Sequence, residues 1–83
     1  MDKFIKLAFK NKWLIVKAEK CACYYCKTML EPSEVDYLEE ADGKYTAVCP
    51  YCGIDSVIDE KSVKADGREL NEEFLNELNE YAF

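Results

Sequence analysis

The chemistry in this chain is concentrated in sulfur. Cys23-Tyr24-Tyr25-Cys26 and Cys49-Pro50-Tyr51-Cys52 form two C-x2-C pairs separated by 22 residues. Two cysteines spaced this way can turn both sulfurs toward one ion, while backbone N–H groups in the tight turn donate to the thiolates and spread their charge. Gly53 follows the second pair where such a turn calls for positive φ, and Lys27 holds the matching place after the first. The spacing predicts Cys23, Cys26, Cys49 and Cys52 as four ligands of one metal. Zinc is the expected ion, and iron, in a rubredoxin-like electron-transfer or redox-sensing centre, is the alternative. Zinc held by four thiolates has no open position for water or substrate, so its role would be structural. Cys21 is a fifth thiol. It could replace Cys23 through C-x4-C, but the tighter knuckle favours Cys23, leaving Cys21 beside the site as a small residue.

Composition narrows the chemistry further. The chain contains no histidine, which removes Cys–His and Ser–His activation and the usual group for acid–base work near neutral pH. A zinc deaminase pattern, with H-x-E or C-x-E before P-C-x-x-C, is also missing. The expectation is a protein that is not an enzyme. With 83 residues, a single domain buries only about 60–65% of its unfolded surface, and chains of this size commonly recruit a metal, disulfides or a second copy. No secretory signal is visible in the first 20 residues, whose apolar runs are broken by lysine every few positions. Nothing reads as a membrane span. A cytoplasmic location is expected, where thiols stay reduced and paired C-x2-C motifs serve metals rather than disulfides.

The elements that would position the sulfurs follow from periodicity. Residues 1–20 read as one amphipathic helix, with Phe4, Leu7, Ala8, Leu14, Ile15 and Ala18 on one side and Lys3, Lys6, Lys10, Lys17 and Lys20 on another. Residues 21–58 read as a zinc ribbon: a turn or single helical turn at Pro32-Ser33, then two strands around Asp42-Gly43 as a two-residue type I′ hairpin, setting Leu38 opposite Ala47 and Tyr37 opposite Val48. Ile54 to Ile58 suggests a short strand, and residues 59–70 a charged mobile loop. In residues 71–83, Asn71 is a candidate N-cap, Glu72 and Glu73 suit the helix dipole, and Phe74, Leu75, Leu78, Tyr81 and Ala82 form an apolar stripe. The predicted fold is a small α+β zinc ribbon with rubredoxin-like knuckles, flanked by an N-terminal and a C-terminal helix in one domain, 1–83.

Charge bears on partners. Residues 1–20 carry net +4 and residues 21–83 net −10, giving −6 overall. Phosphate neutralisation dominates nucleic-acid affinity, and the region around the knuckles is acidic, so nucleic acid is disfavoured as a partner. The lysine-rich first helix is the one feature in its favour. Tyr24, Tyr25 and Tyr51, at the tips of the knuckles, instead favour contact with a protein partner.

The blocks CACYYCKTMLEPSEV, YTAVCPYCGIDSVI and EFLNELNEYAF resemble a family of small bacterial and phage-encoded cytoplasmic proteins. There C-x-C-x-Y-C, P-S-E-I, T-A-x-C-P-Y-C-G-I-D-S-V-I and E-F-L-x-x-M-H-x-Y-W-F occur in the same order. The likeness covers most of the chain and is strongest from Thr46 to Ile58. It departs at Asn79 and Ala82, which stand where the family has histidine and tryptophan, and in the longer, more charged link at residues 59–70. The resemblance implies a cytoplasmic zinc-binding fold and no particular activity; the protein partner expected above would be a host protein if the chain is phage-encoded. It includes Cys21, Asp55 and Ser56. The simpler expectation for Asp55 and Ser56 is that they satisfy backbone N–H groups in the turn leaving the second knuckle.

Overall fold

The first 20 residues do not form one helix. In the computed structural model, which describes residues 1–83, α1 spans Asp2–Leu7 and α2 spans Lys12–Ile15. The chain breaks between them at Lys10, whose φ is +52°. The break has a tertiary cause. Lys10 N–H donates to Thr46 Oγ1 at 2.9 Å, and the buried Asn11 side chain donates to Val57 O at 2.8 Å and accepts from Ala47 N–H at 2.9 Å. The apolar stripe is also divided: Phe4 and Ala8 enter one buried cluster, while Ile15 enters another. A straight helix could not serve both.

The sulfur-bearing segments form two small antiparallel sheets. Strands β1 (Cys21–Cys23), β2 (Met29–Leu30) and β5 (Val57–Asp59) make one sheet in the order β2-β1-β5, and β3 (Asp36–Glu39) pairs with β4 (Tyr45–Val48) in the other. A single 3-10 turn, Pro32–Glu34, links β2 to β3. In the β3–β4 hairpin Tyr37 faces Ala47 and Leu38 faces Thr46, one residue away from the register expected of a two-residue turn. Gly43 N–H donates to Glu40 O at 3.0 Å, and Glu40 N–H to Lys44 O at 2.7 Å. Gly43 takes φ +81° as the left-handed residue closing a three-residue loop, a geometry Asp-Gly supports as readily as type I′.

Residues 59–70 are not a loop throughout. Asp59 ends β5 and caps α3 (Glu60–Ala65), its carboxylate accepting from Ser62 N–H at 3.0 Å. Val63 anchors this helix in the core. The final helix, α4 (Glu72–Ala82), starts at Asn71, whose Oδ1 accepts from Phe74 N–H at 2.9 Å, and it buries Phe74, Leu75 and Leu78.

The result is a compact α+β fold with helices at both ends. Its radius of gyration is 11.4 Å, close to the ~12 Å expected of a folded chain of this length. The core has two parts on opposite faces of the β1–β5 ladder. Ala22 and Ile58 face the helical part, where Phe4 meets Phe74 edge-on at 5.0 Å. Cys21, Cys23 and Val57 face the second part with Ile15, Leu30, Val35, Ala47 and Cys49. This division follows from the two-residue alternation of strand side chains. No helix is long and apolar enough to cross a membrane.

Candidate metal centre

Each C-x2-C pair sits at the end of a strand, which fixes its first cysteine. Cys23 closes β1, and Cys49 follows β4 directly. The two turns have matching backbones: Cys23 N–H donates to Thr28 O at 3.0 Å, and Cys49 N–H to Ile54 O at 3.0 Å. Lys27 and Gly53 hold the corresponding left-handed positions, at φ +62° and +75°. Lys27 therefore takes a conformation that costs a residue with a Cβ about 1 kcal/mol. Asn11 ties the β1–β5 sheet to β4, and so ties together the two sheets that carry the knuckles.

The four sulfurs expected to converge do so. Sγ atoms of Cys23, Cys26, Cys49 and Cys52 all lie within 4.8 Å of one another, with Cys23 to Cys52 at 3.6 Å and Cys26 to Cys49 at 3.7 Å. Zn–S bonds of about 2.3 Å put the corners of a tetrahedron about 3.8 Å apart, so these separations fit one ion held by four thiolates. The group could hold a metal ion. Cys23 and Cys49 are buried, whereas Cys26 and Cys52 are more open, so the centre lies at the edge of the apolar cluster.

Burial and hydrogen bonds pull the sulfurs in opposite directions. Burial pushes the Cys23 thiol up to about 12, against hydrogen bonds from Ser56 and from the Cys26 and Tyr25 backbone. Burial likewise raises Cys49, opposed by the backbone of Cys52 and Tyr51. At Cys26 burial also works upward, but hydrogen bonds with Thr28 and Cys23 outweigh it and bring the thiol to about 7. A positive ion would offset the burial cost that keeps Cys23 and Cys49 protonated.

Ser56 and Thr28 are neighbours that spacing alone does not reveal. Ser56 is buried with Oγ 2.9 Å from Cys23 Sγ, and Thr28 Oγ1 lies 3.2 Å from Cys26 Sγ. Ser56 therefore supports a sulfur through its side chain rather than capping a turn, although its carbonyl does accept from Tyr24 N–H at 2.9 Å. Asp55 is exposed. Cys21 stays outside the cluster: it is fully buried on β1, its Sγ 3.5 Å from Leu30 O, and burial followed by the charge of Asp59 pushes its thiol up to about 12.

The tips of the knuckles also differ from expectation. Tyr24 is 4% exposed and packs into the helical core, so it is no surface platform. Tyr25 and Tyr51 are exposed, Tyr25 edge-on to Phe83 at 4.9 Å and Tyr51 donating its hydroxyl to Glu34. Asn79, where the resembled family has histidine, donates its amide to the carbonyls of Tyr24 and Tyr25 at 3.1 Å each. It fastens α4 to the first knuckle. Comparison with family models, curated proteins and solved structures gives no match, so the motif resemblance assigns no family and the four-sulfur geometry stands on its own.

Proposed function

We propose that the four thiols hold a structural zinc ion in a zinc-ribbon fold, and that the protein is a non-enzymatic module for binding another protein. The observation that carries the reading is the approach of Cys23, Cys26, Cys49 and Cys52 within 4.8 Å. Four thiolates complete the tetrahedral shell of zinc and leave no position for substrate, and the chain has no histidine for acid–base work. A partner would meet Tyr25 and Tyr51, exposed aromatic side chains mounted on turns that the metal makes rigid.

The test has two parts. Elemental analysis of the purified chain should give one zinc per chain and no visible colour; a red iron–thiolate absorbance would replace zinc with a rubredoxin-like centre. Structural zinc contributes on the order of 10 kcal/mol, about the whole stability of a chain this size, so strong chelation should abolish the thermal transition. A metal-free chain that still melts cooperatively would overturn the structural role. For the partner, Tyr25→Ala and Tyr51→Ala should lower capture of the same cellular protein while zinc content is unchanged. Retention of nucleic acid at physiological salt instead, lost on changing Lys6, Lys10 and Lys17 to Glu, would overturn the protein-binding reading.

A further inference from the structure

The lysines near the N-terminus are not used alike. Ion pairs join Lys3 to Asp66, Lys10 to Asp42, Lys64 to Glu60 and Arg68 to Glu77. Lys12 and Lys44 have no such partner, nor have Lys6, Lys17, Lys20, Lys27 and Lys61, but Lys12 and Lys44 are the two of these that line one groove. The Lys12 ammonium instead lies over the rings of Tyr37 and Tyr45, 5.0 Å and 4.6 Å from their centroids. Where α2 meets the β3–β4 hairpin, Lys10, Lys12, Trp13, Val16, Lys44 and Tyr45 line a groove of roughly 730 Å³. Trp13 is 60% exposed and Val16 is 59% exposed. Asp42 pairs with Lys10 at 2.7 Å and also feels the charge of Lys44, so one carboxylate meets three ammonium groups and the groove keeps an excess of positive charge beside an apolar strip.

We propose that this groove binds a short acidic segment of a partner protein, with carboxylates on Lys12 and Lys44 and an apolar side chain between them on Trp13 and Val16. The inference rests on the reading of the chain as a protein-binding module and gives that module a second contact, apart from the tips of the knuckles. Charge complementarity and the mixed lining select the occupant. A nucleic-acid strand carries charge well beyond two lysines and meets repulsion from residues 21–83, which are net −10. An acidic peptide ends where the groove ends. Val16 and the face of Trp13 suit an aliphatic side chain, so charge rather than the aromatic lining separates a peptide from a strand. The volume lies within the range of sites that enclose a few residues or a small molecule.

Trp13 is the only tryptophan, so its emission reports this groove directly. The zinc-loaded full chain is titrated with a blocked hexapeptide of alternating Glu and Leu, with the same peptide carrying Gln for Glu, and with a 12-nucleotide oligo(dT). The Glu/Leu peptide should give a saturable change with a Kd on the order of 100 µM, weakened in 0.5 M salt, as exposed ion pairs with modest apolar contact allow. Lys12→Gln with Lys44→Gln should weaken it by roughly 3- to 10-fold, and Trp13→Phe, read by calorimetry, should weaken it as well. Zinc content is counted in every sample, so a zinc-loaded chain that fails to respond sinks the groove alone, whereas a chain without zinc sinks the metal reading. An equal response to the Gln peptide would overturn the proposal. So would tighter binding of oligo(dT), or dimerisation in sedimentation that the two lysine changes abolish, which would assign the groove to a strand or to a second copy of this chain.

Discussion

Replacing Asn11 with alanine should cost far more than its place between two short helices suggests. The side chain is 1% exposed and makes two buried hydrogen bonds, donating to Val57 O at 2.8 Å and accepting from Ala47 N–H at 2.9 Å. Alanine leaves both backbone groups buried and unpaired, at about 1–3 kcal/mol each, for a loss of about 2–6 kcal/mol. An 83-residue domain has a total of about 4–12 kcal/mol to lose. The thermal midpoint should fall by roughly 10–30 °C, read by circular dichroism at a fixed, buffered excess of zinc, and Lys61→Ala, at an exposed position, should stay within about 0.5 kcal/mol of the parent. Asn11→Asp separates the two bonds: its carboxylate can still accept from Ala47 N–H, but it places a buried charge against Val57 O, so it should be at least as harmful as alanine. Because Asn11 joins the two sheets that carry the knuckles, zinc affinity should fall with stability. A loss below about 1 kcal/mol for Asn11→Ala, or an aspartate variant as stable as the parent, would refute the clamp.

The remaining expectations concern the sulfurs and their neighbours. Cys21→Ala should keep one zinc per chain at some cost in core packing, whereas Cys23→Ser should lose the ion or bind it far more weakly; equal loss in both would make Cys21 a ligand or an essential support. Ser56→Ala removes the hydroxyl 2.9 Å from Cys23 Sγ and should weaken zinc by about tenfold or more in competition with a chelator of known affinity; an unchanged constant would reduce Ser56 to packing. Zinc requires thiolates, and burial holds Cys23 at about 12 and raises Cys49, so protons compete with the ion: affinity should rise with pH and be lost on acidification. Calorimetry at pH 7 in buffers of different ionisation enthalpy should show about three to four protons released per zinc, and fewer than two would contradict four cysteine donors.

The knuckles were legible because their geometry is local. A C-x2-C turn needs only two sulfurs three positions apart and a left-handed residue after them, and both conditions can be read from adjacent letters. The hairpin was legible as a pairing but not in register, since Asp42-Gly43 fits both a two-residue and a three-residue loop, and the choice is made by what each strand buries. The break at Lys10 and Asn11 has no local signal. Apolar spacing continues through it, and the residues that interrupt the helix do so by bonding Thr46, Ala47 and Val57, at least 36 positions away. Ser56 and Thr28 are hidden for the same reason, their roles depending on sulfurs brought beside them by folding. The helix Glu60–Ala65 differs: its cap, Asp59 with Ser62 three residues on, is an ordinary local signal, obscured by the high charge of the segment.

The position of the sulfur cluster explains why a metal would matter beyond its own ligands. Three of the eight residues in the second buried cluster are cysteines, and its apolar members are Ile15, Leu30, Val35, Ala47 and Val57. That is little hydrophobic surface to hold two sheets and two turns. The helical part is better supplied, with Phe4, Phe74, Leu75, Leu78, Ile58 and Val63. Yet the two parts are the two faces of one ladder, with Cys23 paired to Val57 on the sulfur side and Ala22 to Ile58 on the helical side. Without an ion, raised thiols in an apolar setting would remain, and β1 would be held on that face only by its short ladders and by packing against Ile15, Leu30, Val35, Ala47 and Val57. Loss of β1 removes Ala22 from beneath the helices and frees the Tyr24 and Tyr25 carbonyls that Asn79 grips on α4. A bound metal would therefore be coupled to the helices through a three-residue strand, and chelation should remove both in one transition rather than two.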